Sequence, residues 1–292
     1  TRMVSQKVGA LEILGYTLAG EENVIAVPEM NVAFDFGRGP RELMSIDHVC
    51  LSHGHMDHAA GIAYYFSQRH FLGVAPGTVI LHPSLIRPVE RLMAVWAEIE
   101  GHPSPVNLVP IEPDQDVSIR RDLAVRAFAV AHRGPSMGFC VIELRHKLKP
   151  EYAGLTGPQL VDLKRKGFQI DRRVEIPRIA YCGDTAAGAF LNRPDVKNAE
   201  ILLIECTFFD PDHVHRARAG QHFHVRDLVE VLPVVNCPHI IITHVTRRTP
   251  LAAAKAILAK TLRKDVLERV TFLMDRPPRR QPSSRGTTNA ER

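Results

Sequence analysis

Three histidines and one aspartate stand within six residues of this 292-residue chain, at positions 53 to 58. They follow the spacing H-x-H-x-D-H, formed by His53, His55, Asp57 and His58. Neutral imidazole and carboxylate groups suit zinc and other borderline divalent cations. The first two histidines can face one cation, while the aspartate and the last histidine can face a second. Because two cations about 3.5–4 Å apart can hold the attacking and the leaving oxygen of a hydrolysis, the segment predicts a two-metal hydrolase.

The composition narrows the class of protein further. With 45% hydrophobic and 24% charged residues, the chain has an ordinary globular composition and can bury a large core. Its five cysteines lack paired spacing, so they predict no disulfide framework and favour a reducing, cytoplasmic setting. No stretch approaches the ~20 apolar residues of a membrane span, and we expect no membrane partner. The net charge of +5 is compatible with polyanionic partners.

Short apolar runs recur along the chain and predict strands with helices between them. The predicted strands are 32–36, 48–51, 78–81, 123–131, 139–144, 179–182, 201–204, 240–243 and 270–274. Helices are predicted over 57–71, after an N-cap at Ser84, and over 250–262. The early chain is rich in hairpins and the later chain mixes strands with helices. This order predicts an α/β fold with two packed sheets and helices outside, a four-layer αββα sandwich.

Two segments differ from the hydrolase domain predicted over 1–275. Residues 145–177 are polar and basic, and we expect them to form an inserted arm. Within this arm, Pro158 and Gly167 fit the start and the end of a short helix with basic residues in its last turn. Residues 276–292 are rich in Arg, Pro and Ser, cannot build a core, and predict a disordered basic tail.

Two cations need more ligands than one loop supplies, and three candidates follow later apolar runs. They are His132, Asp184 and His244. Taken singly, a histidine at a strand end is more often a hydrogen-bonded surface residue, and a Gly-Asp pair is more often a turn or a cap. In a chain that already carries H-x-H-x-D-H, three such residues predict ligands instead. Seven ligands and a bridging hydroxide would fill two sites of four or five positions.

These residues lie in motifs that resemble the metallo-β-lactamase superfamily and, within it, ribonuclease Z, the endonuclease family that trims precursor tRNA at its 3′ end. The short plant-type form is the most similar. H-x-H-x-D-H marks only the superfamily, whereas four later segments resemble the narrower family. Residues 132–139 resemble H-x-x-x-S-x-G-Y, 182–185 G-D-T, 205–208 E-x-T-F, and 243–248 S/I-H-x-S-x-R. The resemblance covers roughly 11–274 and implies cleavage of the 3′ trailer.

The resemblance also implies a role for each residue. One cation would be held by His53, His55 and His132, the other by Asp57, His58 and His244, with Asp184 between them. Two Zn²⁺ per subunit are implied, with Mn²⁺ or Fe²⁺ as alternatives. A metal-bound hydroxide would attack the phosphodiester and leave a 3′ hydroxyl on the tRNA. Asp57 would also orient that water or accept its proton.

The leaving oxygen needs a proton, and the segment 220–224 carries the candidates. In the family a histidine follows the glycine directly, whereas here Gln221 intervenes. The pattern G-H-x-H aligns best on His222 and His224, which makes His222 the general acid, held by Glu205. His224 stays an alternative, and so does a structural role for both histidines.

The partners implied are precursor tRNA, gripped through the basic arm, and a second subunit in a homodimer. Arg248 could contact phosphate or could be a solvated surface residue. An alternative function keeps the ligands but changes the substrate to cyclic nucleotides or aryl phosphates, as in a small-molecule phosphodiesterase. A metal-binding RNA protein without activity is disfavoured, because no ligand position is lost.

Overall fold

Two seven-stranded sheets form the centre of the computed structural model, which describes residues 3–275. The first sheet contains β1 (Val4–Val8), β2 (Leu11–Leu18), β3 (Glu22–Val27), β4 (Val32–Phe34), β5 (His48–Cys50), β6 (Thr78–Leu81) and β7 (Asn107–Pro110). The second contains β8 (Asp116–Arg120), β9 (Leu123–Ala129), β10 (Met137–Leu148), β11 (Asp171–Tyr181), β12 (Ile201–Glu205), β13 (His239–Thr243) and β14 (Val270–Phe272). Each half of the chain therefore builds one sheet.

The strands of each sheet lie side by side in chain order, and the two sheets share one pairing pattern. In the first sheet, β1 to β4 pair antiparallel and β4 to β7 pair parallel. In the second sheet, β8 to β11 pair antiparallel and β11 to β14 pair parallel. The carboxyl ends of β4 and β5, and those of β11, β12 and β13, are thus each brought to one sheet edge.

Helices cover the outer faces of both sheets, as the four-layer prediction requires. The helices of residues 3–275 are α1 (Met56–Ala59), α2 (Ile62–Phe71), α3 (Pro83–Glu100), α4 (Gly157–Arg165), α5 (Pro194–Lys197), α6 (Val214–Gly220), α7 (Val225–Val231), α8 (Leu251–Thr261) and α9 (Lys264–Leu267), of which α4 lies in the basic segment and not on a sheet face. One core lies between the sheets, where Phe34 and Ile25 meet Phe139 and Leu203. Two further cores lie under the outer helices. The αββα sandwich is confirmed. No helix among residues 3–275 is long and apolar enough to cross a membrane.

Two helix predictions were wrong in detail. The helix predicted over 57–71 breaks between α1 and α2, because the Gly61 N–H donates to the carbonyl of Gly37 at 2.7 Å. A Cβ on Gly61 would also lie 2.2 Å from the Gly39 nitrogen, so the close approach requires glycine. Helix α3 begins at Pro83, and its N-cap is His82 rather than Ser84. Proline suits the first helical position because it lacks the N–H that would stay unpaired there.

The basic segment extends one hairpin of the second sheet. Strands β10 and β11 stay paired from Glu143↔Ile176 out to Leu148↔Asp171, and α4 lies in the connection beyond them. The predicted short helix is confirmed, with Gly167 in a left-handed conformation (φ 83°) just after it. Residues 276–292, predicted as a tail, lie outside the described residues.

Candidate metal centre

Seven predicted ligands, from both halves of the chain, converge at the ends of strands. His53 to His58 follow β5, whereas the other three follow β9, β11 and β13. One group of ligand atoms within 4.8 Å of one another comes from His53, His55, His132 and Asp184. A second such group comes from Asp57, His58 and His244. Asp184 lies between the two groups, with Oδ2 3.9 Å from His53 Nε2, 3.3 Å from His58 Nε2 and 3.4 Å from His244 Nε2.

In the first group, hydrogen bonds behind the histidines determine which nitrogen carries the proton. Ser52 Oγ donates its one proton to Asp35 Oδ2 at 2.9 Å, so His53 Nδ1, 2.9 Å from the same hydroxyl, must be the donor. His132 Nδ1 donates to the carbonyl of Gln221 at 3.2 Å. Both rings therefore point an unprotonated Nε2 inward, the tautomer that a metal-binding imidazole needs.

In the second group, hydrogen bonds likewise hold Nδ1 of each histidine and turn Nε2 toward the centre. His58 Nδ1 lies 2.6 Å from Asp35 Oδ2, while its buried Nε2 has no hydrogen-bond partner among the described residues. The Thr207 hydroxyl donates to Glu205 at 2.6 Å, so His244 Nδ1, 3.0 Å away, donates to Thr207. His244 Nε2 then faces the Oδ2 atoms of Asp57 and Asp184, each 3.4 Å away.

These donor sets fit a pair of divalent cations. His55 Nδ1 lies 2.9 Å from His53 Nε2 and 3.3 Å from His132 Nε2, so a single proton at most is shared among three converging nitrogens. Burial, aided by the charge of His58, lowers the pKa of His53 to about 3, which keeps that imidazole neutral. Three converging imidazole nitrogens beside the Asp184 carboxylate are a donor set that suits such a cation.

The charges of the carboxylates and of His58 are coupled. Burial opposes ionisation of Asp184, but His244 and His58 outweigh it and hold the pKa of that carboxyl well below its usual range. Burial likewise opposes a charge on His58, yet Asp184 and Asp35 hold its pKa well above the usual value. A cation that binds at His58 Nε2 would therefore release a proton.

Asp35 is a functional residue that the sequence analysis missed. Its carboxylate is fully buried and accepts hydrogen bonds from the Ser52 N–H (2.7 Å) and hydroxyl, Asn23 Nδ2 (3.1 Å), Tyr181 OH (2.5 Å) and His58 Nδ1. It thereby orients His58 directly and His53 through Ser52. An aspartate inside the apolar run 32–36 was the available signal, since a buried charge needs partners.

His222 and Glu205 lie beside the two groups. His222 Nδ1 donates to Glu205 Oε1 at 2.7 Å, and the His222 ring lies 4.9 Å from that of His132 and 5.5 Å from that of His244. Burial would lower the pKa of His222, but the charge and hydrogen bond of Glu205 raise it. Glu205 also accepts from the Thr185 and Thr207 N–H groups.

The neighbouring candidates lie elsewhere. His224 is buried as the N-cap of α7, where Nδ1 accepts from the Arg226 N–H and Nε2 lies 2.9 Å from the Asp210 carbonyl. Both of its nitrogens are thus used within the fold. Gln221, the residue that interrupts the family pattern, ends α6 in a left-handed conformation (φ 56°) and presents its carbonyl to His132. Arg248 is exposed.

Known proteins are similar to this chain in sequence and in fold. A profile described as "Beta-lactamase superfamily domain" matches residues 26–245. The chain is 32% identical to tRNase Z TRZ1 of Arabidopsis thaliana over 251 residues, which cover 83% of this chain and 90% of that protein. It is 30% identical to the chloroplastic tRNase Z TRZ2 of the same plant over 239 residues, 81% of this chain and 68% of that protein.

Solved structures support the same fold. The metallo-beta-lactamase fold protein YhfI from Bacillus subtilis superposes with a TM-score of 0.60 at 14% identity, over 88% of this chain and 92% of that one. Human tRNase Z, short form, superposes with a TM-score of 0.53 at 16% identity, over 89% and 88%. The chain therefore belongs to the beta-lactamase superfamily and, within it, to the tRNase Z, or ribonuclease Z, family of hydrolases.

Proposed function

We propose that this protein is a metal-dependent endonuclease that removes the 3′ trailer from precursor tRNA. The observation that carries the proposal is the convergence of seven ligand side chains in a chain that covers 90% of a tRNase Z relative. The proposal adds a substrate and a reaction to the family membership.

The residues that would hold the cations follow from the two groups. His53, His55 and His132 would hold one, Asp57, His58 and His244 the other, and Asp184 would contact both. When bound, the pair would neutralise charge on the phosphodiester and activate a water as the nucleophile. We propose zinc, because nitrogen-rich ligand sets with carboxylate suit it, and manganese or iron are the alternatives.

We propose that Asp57 orients the attacking water. Its Oδ2 accepts from the Gly20 N–H at 2.9 Å, which fixes the carboxylate at the rim of the site. The neighbouring imidazoles of His244 and His58 outweigh burial and lower the pKa of Asp57, so it is ionised at neutral pH. An ionised carboxylate at this point can accept a hydrogen bond from the water and so orient it.

We propose that His222 protonates the leaving oxygen. Because its Nδ1–H is donated to Glu205, its Nε2 remains for the substrate, and Glu205 stabilises the charged ring. The leaving oxygen is the 3′ oxygen of the tRNA, which takes that proton and becomes the 3′ hydroxyl. The 5′ phosphate stays on the trailer.

The arm supplies charge for the body of the tRNA. Lys164 and Lys166 lie within 4.0 Å of Asp171 and Asp162, so their charge is partly balanced. Lys147, Lys149 and Arg165 have no ion pair among the described residues, and they are the better candidates for phosphate contacts.

We also propose a homodimer through the outer face of α2 and α3. Apolar side chains stay exposed there, among them Phe71 (82%), Ile99 (65%) and Trp96 (41%). Tyr64 of α2 and Trp96 of α3 line the same groove, so the exposed residues of both helices belong to one face. Contiguous apolar patches of this kind mark interaction sites.

Sedimentation tests this interface. Trp96→Glu combined with Ile99→Glu should convert a dimer to a monomer, while Val234→Glu, at an exposed valine of the second half, should leave the mass unchanged. A wild-type monomer, or a dimer that survives the double change, would contradict the proposal.

The five cysteines are buried free thiols, which supports a reducing compartment such as the cytoplasm.

The function itself is tested with precursor tRNA that carries a 3′ trailer. We expect cleavage at the 3′ end of the tRNA body, mapped to the nucleotide, and its loss in Asp184→Ala. Bis(p-nitrophenyl) phosphate serves as the parallel substrate. Hydrolysis of that ester without any cleavage of precursor tRNA would replace the proposal with a small-molecule phosphodiesterase.

A further inference from the structure

A buried chain of hydrogen bonds joins the two sheets behind the metal centre. Asp35 Oδ2 accepts from Asn23 Nδ2 at 3.1 Å, and Asn23 Oδ1 accepts from Thr17 Oγ1 at 2.6 Å. Thr17 Oγ1 in turn accepts from the backbone N–H of His244 at 2.8 Å. All four residues are buried. The chain thus runs from the carboxylate that orients His58 to the backbone of another ligand.

The two middle residues of this chain of hydrogen bonds, Thr17 and Asn23, belong to one hairpin. Thr17 and Asn23 face each other in register on β2 and β3, at the end of the hairpin that reaches the second sheet. A backbone hydrogen bond from the Ala19 N–H to the Val245 carbonyl, 3.3 Å long, anchors the same end. The hairpin is therefore the element of the first sheet that holds the segment after β13.

The two residues at the ends of this chain of hydrogen bonds have unusual backbone conformations. Asp35 and His244 each have φ of 55°, in the left-handed region that residues with a Cβ rarely adopt. Such conformations persist when surrounding contacts determine them, and they cluster at functional sites. At His244 that contact is the Thr17 hydroxyl, which accepts a hydrogen bond from the backbone N–H of His244.

Only a hydroxyl satisfies both neighbours of Thr17. Its single proton is donated to Asn23 Oδ1, so its lone pair is free to accept the His244 N–H. Valine has the same shape but would leave that N–H and the Asn23 carbonyl unpaired. Serine would preserve both bonds and lose only the methyl group.

We propose that Thr17, acting with Asn23, is a positioning residue that sets the second cation site by holding His244 in its left-handed conformation. Through Asn23 the same chain ties His244 to Asp35, so the rings of His58 and His244 are held relative to each other. The inference rests on the proposed metal centre. Of the first-site histidines, His55 and His132 make no contact with this chain of hydrogen bonds, and His53 is connected to it only through Ser52 and Asp35.

Metal titration of the full chain tests the inference. Metal-free protein is titrated with Zn²⁺ against a competing chromophoric chelator, which gives the affinity of each equivalent separately. We expect Thr17→Val to weaken one of the two equivalents about 10–100-fold, the range for lost outer contacts of ligands, and to leave the other unchanged. Thr17→Ser should bind like wild type, and Thr17→Cys should lie between serine and valine.

The matched control is Thr243→Val, which makes the same exchange at a buried threonine directly before His244. It should bind both equivalents like wild type. Wild-type binding by Thr17→Val would overturn the inference, and so would equal weakening by Thr17→Ser or by Thr243→Val. If Thr17→Val does not fold, Thr17→Cys against Thr17→Ser decides. A wild-type chain that binds no second Zn²⁺ would instead overturn the proposed metal centre.

Discussion

The two halves of the molecule build sheets with the same strand order and the same succession of pairings. They differ in how they supply the ligands of the candidate metal centre. The first half places four candidate ligands within one short segment, 53–58, formed by the loop after β5 and the start of α1. The second half places a single ligand after each of three strands. A ligand set in one loop depends on local spacing, whereas a set scattered over three strands depends on the assembly of the whole sheet.

The halves are alike in a second respect, since each supplies one buried carboxylate that organises its side of the site. In the first half, Asp35 after β4 holds Ser52 and His58. In the second half, Glu205 at the end of β12 holds Thr207 and His222. The difference lies in what each carboxylate serves: Asp35 serves ligands alone, whereas Glu205 serves a ligand through Thr207 and the proposed acid.

The largest effect should come from removing one proposed ligand of the second cation from either half. His58→Ala and His244→Ala should each lose that cation and lower tRNA cleavage by several orders of magnitude, because water activation depends on the metal. Metal content and cleavage rate are measured together, with the exposed His70→Ala as control. Full activity in one variant only would mean that the halves do not share a site.

A smaller loss is expected from His222→Ala. General acid catalysis contributes about 10²- to 10⁴-fold, so cleavage of precursor tRNA should fall by that factor. Hydrolysis of bis(p-nitrophenyl) phosphate should change much less, because nitrophenolate leaves without a proton. Single-turnover rates on both substrates test this expectation.

The control for His222 is His224→Ala, which removes the N-cap of α7 and should cost about 1 kcal/mol of stability with the chemistry retained. Equal rate losses on the two substrates in His222→Ala would argue for a structural role of that histidine.

Replacing Asp35 and replacing Glu205 should have different effects on metal binding and on tRNA cleavage. Asp35→Asn should weaken metal binding about 10–100-fold, because it disturbs the orientation of ligands alone. Glu205→Gln should combine a weaker metal effect through Thr207 with a loss of tRNA cleavage through His222. The measurements are Zn²⁺ affinity and cleavage at saturating Zn²⁺. Full cleavage by Glu205→Gln at saturating Zn²⁺ would mean that Glu205, like Asp35, serves the ligands alone.

The smallest effect is expected on the arm, which belongs to the second half alone. Replacing Lys147, Lys149 and Arg165 with alanine should weaken tRNA binding and reduce its salt dependence by about one unit of slope per lost phosphate contact. Hydrolysis of the small ester should not change. Alanine at Lys7, Lys260 and Lys264 removes the same charge elsewhere. A similar loss with both triple variants would point to net charge rather than the arm.

Much of the site could be predicted because its ligands differ from their surroundings. His53 to His58 form a dense polar motif, and His132, Asp184 and His244 each end an apolar run. Asp35 also stands in an apolar run, but nothing in its spacing separates a buried organising carboxylate from a turn residue. Likewise, the break at Gly61 depends on Gly37, far along the chain, and periodicity reports only neighbours.

The sequence by itself determined the four-layer fold and the seven candidate ligands, because hydrophobic periodicity and ligand spacing are local properties of the chain, and the resemblance of its motifs indicated the family. Only the tertiary structure decided which nitrogen of each histidine faces the centre, that His222 rather than His224 lies beside it, and that Thr17 holds His244. These depend on hydrogen bonds between groups up to 227 residues apart, whose geometry exists only after the two sheets have packed.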